Sequence, residues 1–475
     1  MQAGSGTMAV SPPHARPRPA VTEAPMLSAR RLRAIIFIEG FCSLGAEVLA
    51  LRQLVPQVGS SIVVTAPTIG VFLLALALGY QTGARARDGW QAAVSRNFLV
   101  AALLTGAGLS GRTVDTLAAG MGSPVAAAVI LVACVLGPIA WLLGQTVPLL
   151  TNLIHHERAG ASSGQALYHS TLGSFLGSVA LSLGVMPWLG VSAAVAICAG
   201  LLGVGHLLAA RPGRGVRRIG AAVTGAAVAV ALLPRPGVLA ETPYADYAVE
   251  PVRIDGMLRP RLMRNNGSPA SLIDESEPPR HARYVERIRR LLVEDLGLRQ
   301  RDILVLGAGG FTLSHRETAN RYTYVDIDPA IRDLAQQHFL REPMAGTFLA
   351  EDARTFVTRT AQIFDAVVVD VYGSHTAIPG HLVTLGFWSS LRRVVAPQGV
   401  VVANLLLDAS LESDHARHLL ATIERVYGRC SVEVLQRRQP LANVIVTCRA
   451  DTTDRPVRLY TDERQTADLD RLRGP

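Results

Sequence analysis

Three carboxylates in the second half of the chain stand where a nucleoside donor could be held and its reaction served. Asp326 closes the β-forming run that begins at Tyr322, Asp352 follows Thr347–Ala350, and Asp370 closes the run that begins at Ala366. Ahead of them, "ILVLGAGG" places Gly307 and Gly309 directly after a strand-like stretch, Ile303–Leu306. In an open α/β sheet, ligands bind outside the carboxyl ends of the strands. A carboxylate ending the second strand can accept both hydroxyls of a ribose. One following the third can read an adenine amino group, and one ending the fourth sits beside the reacting atoms. The third glycine of a dinucleotide fingerprint would fall on Thr312, so that fingerprint is broken. Any one of these acids, taken alone, has a plainer reading as a helix N-cap or turn residue. Asp328, just ahead of Pro329, takes that reading.

Such residues need strands alternating with helices. The pattern predicts strands at Ile303–Leu306, Tyr322–Asp326, Thr347–Ala350, Ala366–Asp370 and Val400–Leu405. It predicts helices at Thr312–Asn320, Pro329–Phe339, Ala353–Thr358, Thr384–Val395 and Asp414–Tyr427. A hairpin, Ser431–Leu435 with Asn443–Cys448, closes the sequence of elements. This is the alternation of an α/β Rossmann-like fold of the class I methyltransferase type. Ahead of it, short strands flank the turn signal Asn266–Gly267, which predicts a small β-subdomain. His281–Leu296 reads as an amphipathic helix.

The first half is of another kind. Over the 475 residues, 49% are hydrophobic and 17% charged, and the shortage of charge is confined to residues 34–233. Six stretches there are long enough to cross a bilayer core of about 30 Å: Ala34–Val55, Ile62–Thr82, Phe98–Ala118, Pro124–Gly144, Ala166–Met186 and Val191–Ala210. Ile219–Leu233 is a short seventh. The reading is an N-terminal polytopic α-helical membrane domain. A basic, disordered tail (1–33) precedes it, and a linker (234–240) follows. Next come the β-subdomain with its helix (241–300), the Rossmann-like domain (301–450) and a polar tail (451–475). Glu39 and Glu47 in the first span face the bundle interior, as a structural contact or as a functional group. "GSFLG", from Gly173 to Gly177, would let two helices approach closely.

The net charge of +9 does not imply nucleic acid, because much of the excess lies in arginines beside apolar stretches, where it sets topology. Five scattered cysteines without a C-x-x-C pair indicate neither a disulfide framework nor a zinc site. His155, His156, His375 and His381 read as polar loop residues, and no metal is expected.

"VDIDP", "EDARTF" and "FDAVVVDVYGSHTAIPGHLVTLGFW" resemble the acidic second-strand end, the third-strand segment and the fourth strand with gate loop of the aminopropyltransferases, the spermidine synthase-like family. "GFCSLGAEVLALRQLVPQVGSS" and "LYHSTLGSFLGSVALSLGVMPWLG" resemble spans of its membrane-fused bacterial branch. The resemblance runs from about Ala34 to Cys448 and implies decarboxylated S-adenosylmethionine as donor, an amine such as a polyamine as acceptor, and methylthioadenosine as leaving group. It assigns Gly307, Gly309, Asp326, Asp352 and Ala353 to the donor, Asp370 to proton acceptance, and Tyr284 and Tyr372 to the amine pocket. Two departures stand out. Gly310 replaces an acid near the donor's aminopropyl end, and Tyr372, Gly373, Ser374 and His375 follow Asp370 where a second acid is usual.

Two other readings stay open at this point. One is a methyltransferase using S-adenosylmethionine. The other is a non-catalytic protein that transports or senses a polyamine or nucleoside. The oligomeric state is open, a homo-oligomer included. Arginines place the N-terminus and the loops near Arg85, Arg158 and Arg214 in the cytoplasm of a cell with a multi-pass protein in its plasma (inner) membrane. Six spans then return the soluble half to the cytoplasm, which is the expectation. Seven would place it outside.

Overall fold

A computed structural model describes residues 28–58, 62–85, 89–151, 159–211, 213–372 and 378–449. The tail from 451, His155, His156, and Gly373 to His375 of the gate loop lie outside the described residues.

The first half is a helical bundle. Its helices are α1 (Ala29–Val58), α2 (Ile62–Arg85), α3 (Trp90–Gly108), α4 (Gly111–Met121) and α5 (Pro124–Thr151). A helical run over 159–209 follows, broken at Gly190 (φ +83°) into α6 (159–189) and α7 (191–209), and then α8 (Arg214–Ala231). By length and composition, four helices can cross a membrane, or five if the bent pair α3–α4 counts as one. The expected tail is shorter than predicted, since α1 begins at Ala29 and includes Arg30, Arg31 and Arg33. Glycine sets the tightest helix contact. Gly173 and Gly177 of α6 lie against the backbone of Phe37 and Phe41 of α1, where an added Cβ would overlap main-chain oxygens. Ser170 of α6 donates to Glu39 at 2.8 Å, so this buried acid has a partner inside the bundle.

The second half begins with an antiparallel sheet, β1 (Val238–Glu241), β2 (Asp246–Pro251), β3 (Arg261–Asn265) and β4 (Ser268–Ile273). The predicted linker is therefore partly strand. Asn266 and Gly267 both take positive φ (50° and 75°) in the β3–β4 turn, as the sequence signal requires. The helix α9 (Arg283–Arg290) leads to a seven-stranded sheet. Its strands are β5 (Asp302–Leu306), β6 (Arg321–Asp326), β7 (Thr347–Ala350), β8 (Phe364–Val369), β9 (Val395–Asp408), β10 (Cys430–Val434) and β11 (Leu441–Cys448). The order is β10-β11-β9-β8-β5-β6-β7, with β5 to β9 parallel and β11 antiparallel to β9. Five parallel strands ending in an inserted antiparallel hairpin make the Rossmann-like, methyltransferase-type sheet. The order reverses between β5 and β8, which is where such sheets bind ligands. Apolar cores cover both faces. One contains Phe387, Trp388 and Tyr427, and the other joins Tyr247 and Met263 of the small sheet to Phe311, Tyr324 and Phe339.

Two expectations fail here. Thr312–Asn320 is a series of turns, not a helix. Phe311 and Arg316 both have positive φ (56° and 53°), and the Ser314 amide bonds to the Tyr324 hydroxyl at 3.0 Å, so the chain leaves helical geometry to pack on β6. Second, Cys430 and Cys448 form a disulfide. They face each other as the first pair of the β10–β11 ladder, with Cα atoms 4.5 Å apart. Spacing along the chain hid this, because a hairpin brings together residues 18 apart in sequence.

The two halves meet in a buried charge network. Arg52, near the end of α1, donates from Nε to the Thr242 carbonyl at 2.9 Å and pairs with Asp246 at 2.8 Å. Arg235 also pairs with Asp246, reaches Glu241 at 3.3 Å, and holds Asp115 of α4 through two bonds of 2.8 Å. Glu241 accepts from the amide and hydroxyl of Ser192 in α7.

Candidate active site

Gly307 leaves β5 with φ +90°, and an added Cβ there would overlap the Asp370 carbonyl oxygen. The glycine thus lets the loop after β5 lie flat against the chain leaving β8. Asp370 is the first residue beyond β8, and its amide still donates to Leu306 at 2.9 Å. Gly309 also has positive φ (50°). The loop then turns back toward the small sheet, where the Gly310 amide donates to Ser271 Oγ at 2.8 Å.

Asp326 ends β6 and holds this loop. Its Oδ2 accepts from the Ala308 amide at 2.9 Å and its Oδ1 from the Asp328 amide at 3.0 Å. An ionised carboxylate has about four acceptor sites, so both oxygens keep capacity for a ribose diol. Burial raises its pKa above the usual carboxylate value against the pull of those amides. Asp328 caps the next turn, its Oδ1 accepting from the Ala330 amide at 3.0 Å, as the plainer reading had it. Its other oxygen takes the hydroxyls of Thr242 (2.6 Å) and Tyr247 (3.0 Å).

Asp352 has a double character. It is the N-cap of α10 (Ala353–Arg359), accepting from the Thr355 amide at 2.8 Å. Its other oxygen stands 3.3 Å from His381 Nε2. Burial opposes its charge, but the bonds from Thr355 and His381 prevail and hold its pKa below the usual value. Ala353 is buried behind it as the first residue of the helix. The structure therefore brings Gly307, Gly309, Asp326 and Asp370 into one cradle and sets Asp352 at the neighbouring strand end.

Asp370 sits deepest. Its Oδ1 accepts from Asn404 Nδ2 at 2.8 Å. The Tyr284 hydroxyl reaches both the Ala270 carbonyl (3.1 Å) and the Asp370 carboxylate. Removal from water pushes the Asp370 pKa up to about 6, although Asn404 and Tyr284 pull the other way. Burial and the charge of Asp370 keep Tyr284 and Tyr372 as neutral phenols. Tyr372 donates to the Asn404 carbonyl at 2.8 Å. A carboxylate titrating near neutrality, framed by two phenols, is suited to holding a cation and taking its proton.

Sequence reasoning missed Asn404. It is the one polar side chain in the apolar run "VVVANLLL" of β9, and that isolation was the available signal. It is buried, and its Oδ1 has no partner among the described residues. Gly310 is also explained. A Cβ there would overlap the Phe339 ring, which occupies the place an acidic side chain would need. No helix starts after the glycine loop, so there is no helix N-terminus to bind a diphosphate, and the cradle suits a nucleoside without one.

No family model matches the chain. Curated relatives do. Polyamine aminopropyltransferase 1 of Streptomyces coelicolor is 28% identical over 318 residues, covering 58% of this chain and 57% of the relative. The polyamine aminopropyltransferase of Vibrio vulnificus is 28% identical over 134 residues, covering 26% of this chain and 43% of the relative. The chain is thus similar, over part of its length, to polyamine aminopropyltransferases. It spans about half the length of these two. The residues from 234 onward are only about half of this chain, so a match over 58% reaches into the helical half. Among solved structures, a probable spermidine synthase from Corynebacterium glutamicum aligns with 21% identity and a TM-score of 0.39, covering 47% of this chain and 82% of its own.

Asp326→Ala removes the acceptor that holds the loop and keeps capacity for a ribose diol. Hydrogen bonds to charged groups contribute about 1.5–3 kcal/mol, so affinity for methylthioadenosine or S-adenosylhomocysteine is expected to fall about tenfold to a hundredfold. Calorimetry on the folded variant measures it, and unchanged affinity would mean that the loop is only a strand connection.

Proposed function

We propose that this protein transfers the aminopropyl group of decarboxylated S-adenosylmethionine to an amine and releases methylthioadenosine. The observation that carries this reading is Asp370, held by Asn404 between Tyr284 and Tyr372 and directly abutting the loop of Gly307. The relatives' names support the reaction class. The donor's adenosine lies along Gly307, Gly309 and Asp326, with its base toward Asp352 and Ala353. The acceptor enters at Tyr284 and Tyr372.

An alkylamine is almost wholly protonated at neutral pH, its pKa being near that of lysine, ~10.4. Ionised Asp370 and the free Oδ1 of Asn404 hold the ammonium. The ammonium first gives one proton to Asp370. The lone pair so freed attacks the carbon beside the sulfonium, a C–N bond forms as the C–S bond breaks, the C–S electron pair neutralises sulfur, and the positive charge ends on the new secondary ammonium. Purified full-length protein, incubated with labelled donor and a panel of amines, is expected to yield methylthioadenosine.

One observation favours a second reading. Gly310 with Phe339 leaves no acid beside the donor's aminopropyl end, and methyl transfer from S-adenosylmethionine does not need one. S-adenosylhomocysteine as the product would replace the first reading by the second.

A further inference from the structure

We infer that the helical half crosses the membrane seven times and that the soluble half, with its site, stands on the side opposite the N-terminus, outside the cytoplasm. The inference goes beyond the transfer chemistry and does not depend on it.

The helix directions follow from which residues lie together. Gly173 and Gly177 of α6 lie against Phe37 and Phe41 of α1 in the same order, so these helices run parallel. Gly79 and Gly83 of α2 lie against Trp141 and Gln145 of α5, again in the same order. Ser95, near the start of α3, meets His206, near the end of α7, at 3.0 Å. Gly106, near the end of α3, lies against Ala227, near the end of α8, while Gly220, early in α8, lies against His206. These contacts sort the helix ends onto two faces. α1, α3, α6 and α8 run from a distal face to a junction face, and α2, α5 and α7 run back.

Lengths agree with six crossings, and the place of α8 beside α3 and α7 supplies the seventh. The apolar stretch Ser163–Ala209 has 47 residues, about 70 Å as one helix, more than twice a bilayer core of about 30 Å. Its break at Gly190 divides it into two passes. α8, with 18 residues, reaches about 27 Å. It starts at Arg214 on the distal face and delivers the chain to Arg235 on the other.

The soluble half is bonded to the junction face through Arg52, through Arg112 and Asp115, and through Ser192. Arg52 is matched there by Asp246 and Arg235 by Asp115 and Glu241, while Arg112 bonds the Pro234 carbonyl. The distal face carries Arg30, Arg31, Arg33, Arg85, Arg211 and Arg214, and no acid occurs in residues 28–33 or 210–218. Positive charge near span ends marks the cytoplasmic side, so the distal face is cytoplasmic and the junction face is not. Counting six spans from sequence led to the opposite expectation, and α8 as a seventh crossing reverses it. The Cys430–Cys448 disulfide points the same way from separate chemistry, because disulfides persist in oxidising compartments and are rare in the cytosol. On the transfer reading, donor and acceptor would then be met on the outer side.

The test uses the full chain in its own membrane. Arg299→Cys is exposed in the soluble half and Arg214→Cys is exposed on the distal face. With a membrane-impermeant maleimide on intact spheroplasts, Arg299→Cys is expected to label directly and Arg214→Cys only after permeabilisation. Labelling in the reverse pattern overturns the inference. A reporter fused after Pro475 gives a second measurement. Active alkaline phosphatase with dark green fluorescent protein supports the placement, and fluorescence with inactive phosphatase refutes it. Both measurements read topology alone, so they leave the transfer reading to stand or fall on its products.

Discussion

Asp370→Asn is expected to lose about 10²–10⁴-fold in turnover, the usual contribution of a positioned general base. The side chain keeps its size but cannot take the proton that the ammonium must lose before its nitrogen attacks. Donor affinity is expected to hold, since on the proposed reading the ribose is taken by Asp326 and not by Asp370. The stability change has the opposite sign to that of a structural cap. The folded Asp370 pKa, about 6, lies above an unfolded value near 3.9. From about pH 4 upward the unfolded chain gives up this proton first, so ionising Asp370 costs stability, and the full cost is present above about pH 6. The neutral amide removes that cost, and Tm at pH 7 is expected to stay level or rise. In the unmutated protein, turnover is expected to fall as pH drops through about 6, where the base becomes protonated, and this limb is expected to vanish in Asp370→Asn. A variant with full turnover and a lowered Tm would show that Asp370 only fastens the loop.

Gly307→Ala is expected to abolish both donor binding and turnover, by at least about a hundredfold each, because misplacing reacting groups by about 1 Å costs that much. The new methyl would overlap the Asp370 carbonyl oxygen, and φ +90° is closed to a residue with a Cβ. Either the loop lifts or Asp370 moves, so the ribose site and the base fail together. Calorimetry and product assay on one preparation check it. A decline in turnover with donor affinity intact would show that the loop tolerates the methyl and that only the base is displaced.

Strand ends were legible because a two-residue period and the acids that stop it are local features. Asp326, Asp352 and Asp370 stood out for that reason, and the strands that carry them fall within two residues of expectation. The stretch from Thr312 to Asn320 was misjudged because its turns answer to Tyr324 and the small sheet, partners distant in sequence. Asn404 looked like one more strand residue until Asp370 was found beside it. The absent acid at Gly310 was visible, but its cause, the ring of Phe339 arriving from another turn, was not. The plainer N-cap reading of Asp352 was correct as far as it went. Its second oxygen, turned to His381, became visible only once the loop before α11 (Leu385–Arg393) was in place.

Three hydrogen bonds in series lead from the first helix to the ribose site: Arg52 to the Thr242 carbonyl, the Thr242 hydroxyl to Asp328, and the Asp328 amide to Asp326. Helices in a bilayer adjust their tilt to its thickness. A change in the tilt of α1 would therefore arrive at Asp326 as a displacement of the carboxylate proposed to take the sugar. With the helical half in a bilayer and a nucleoside at Asp326, as proposed, affinities measured in micelles and in bilayers of different thickness are expected to differ, and lipid composition becomes a variable of the binding isotherm.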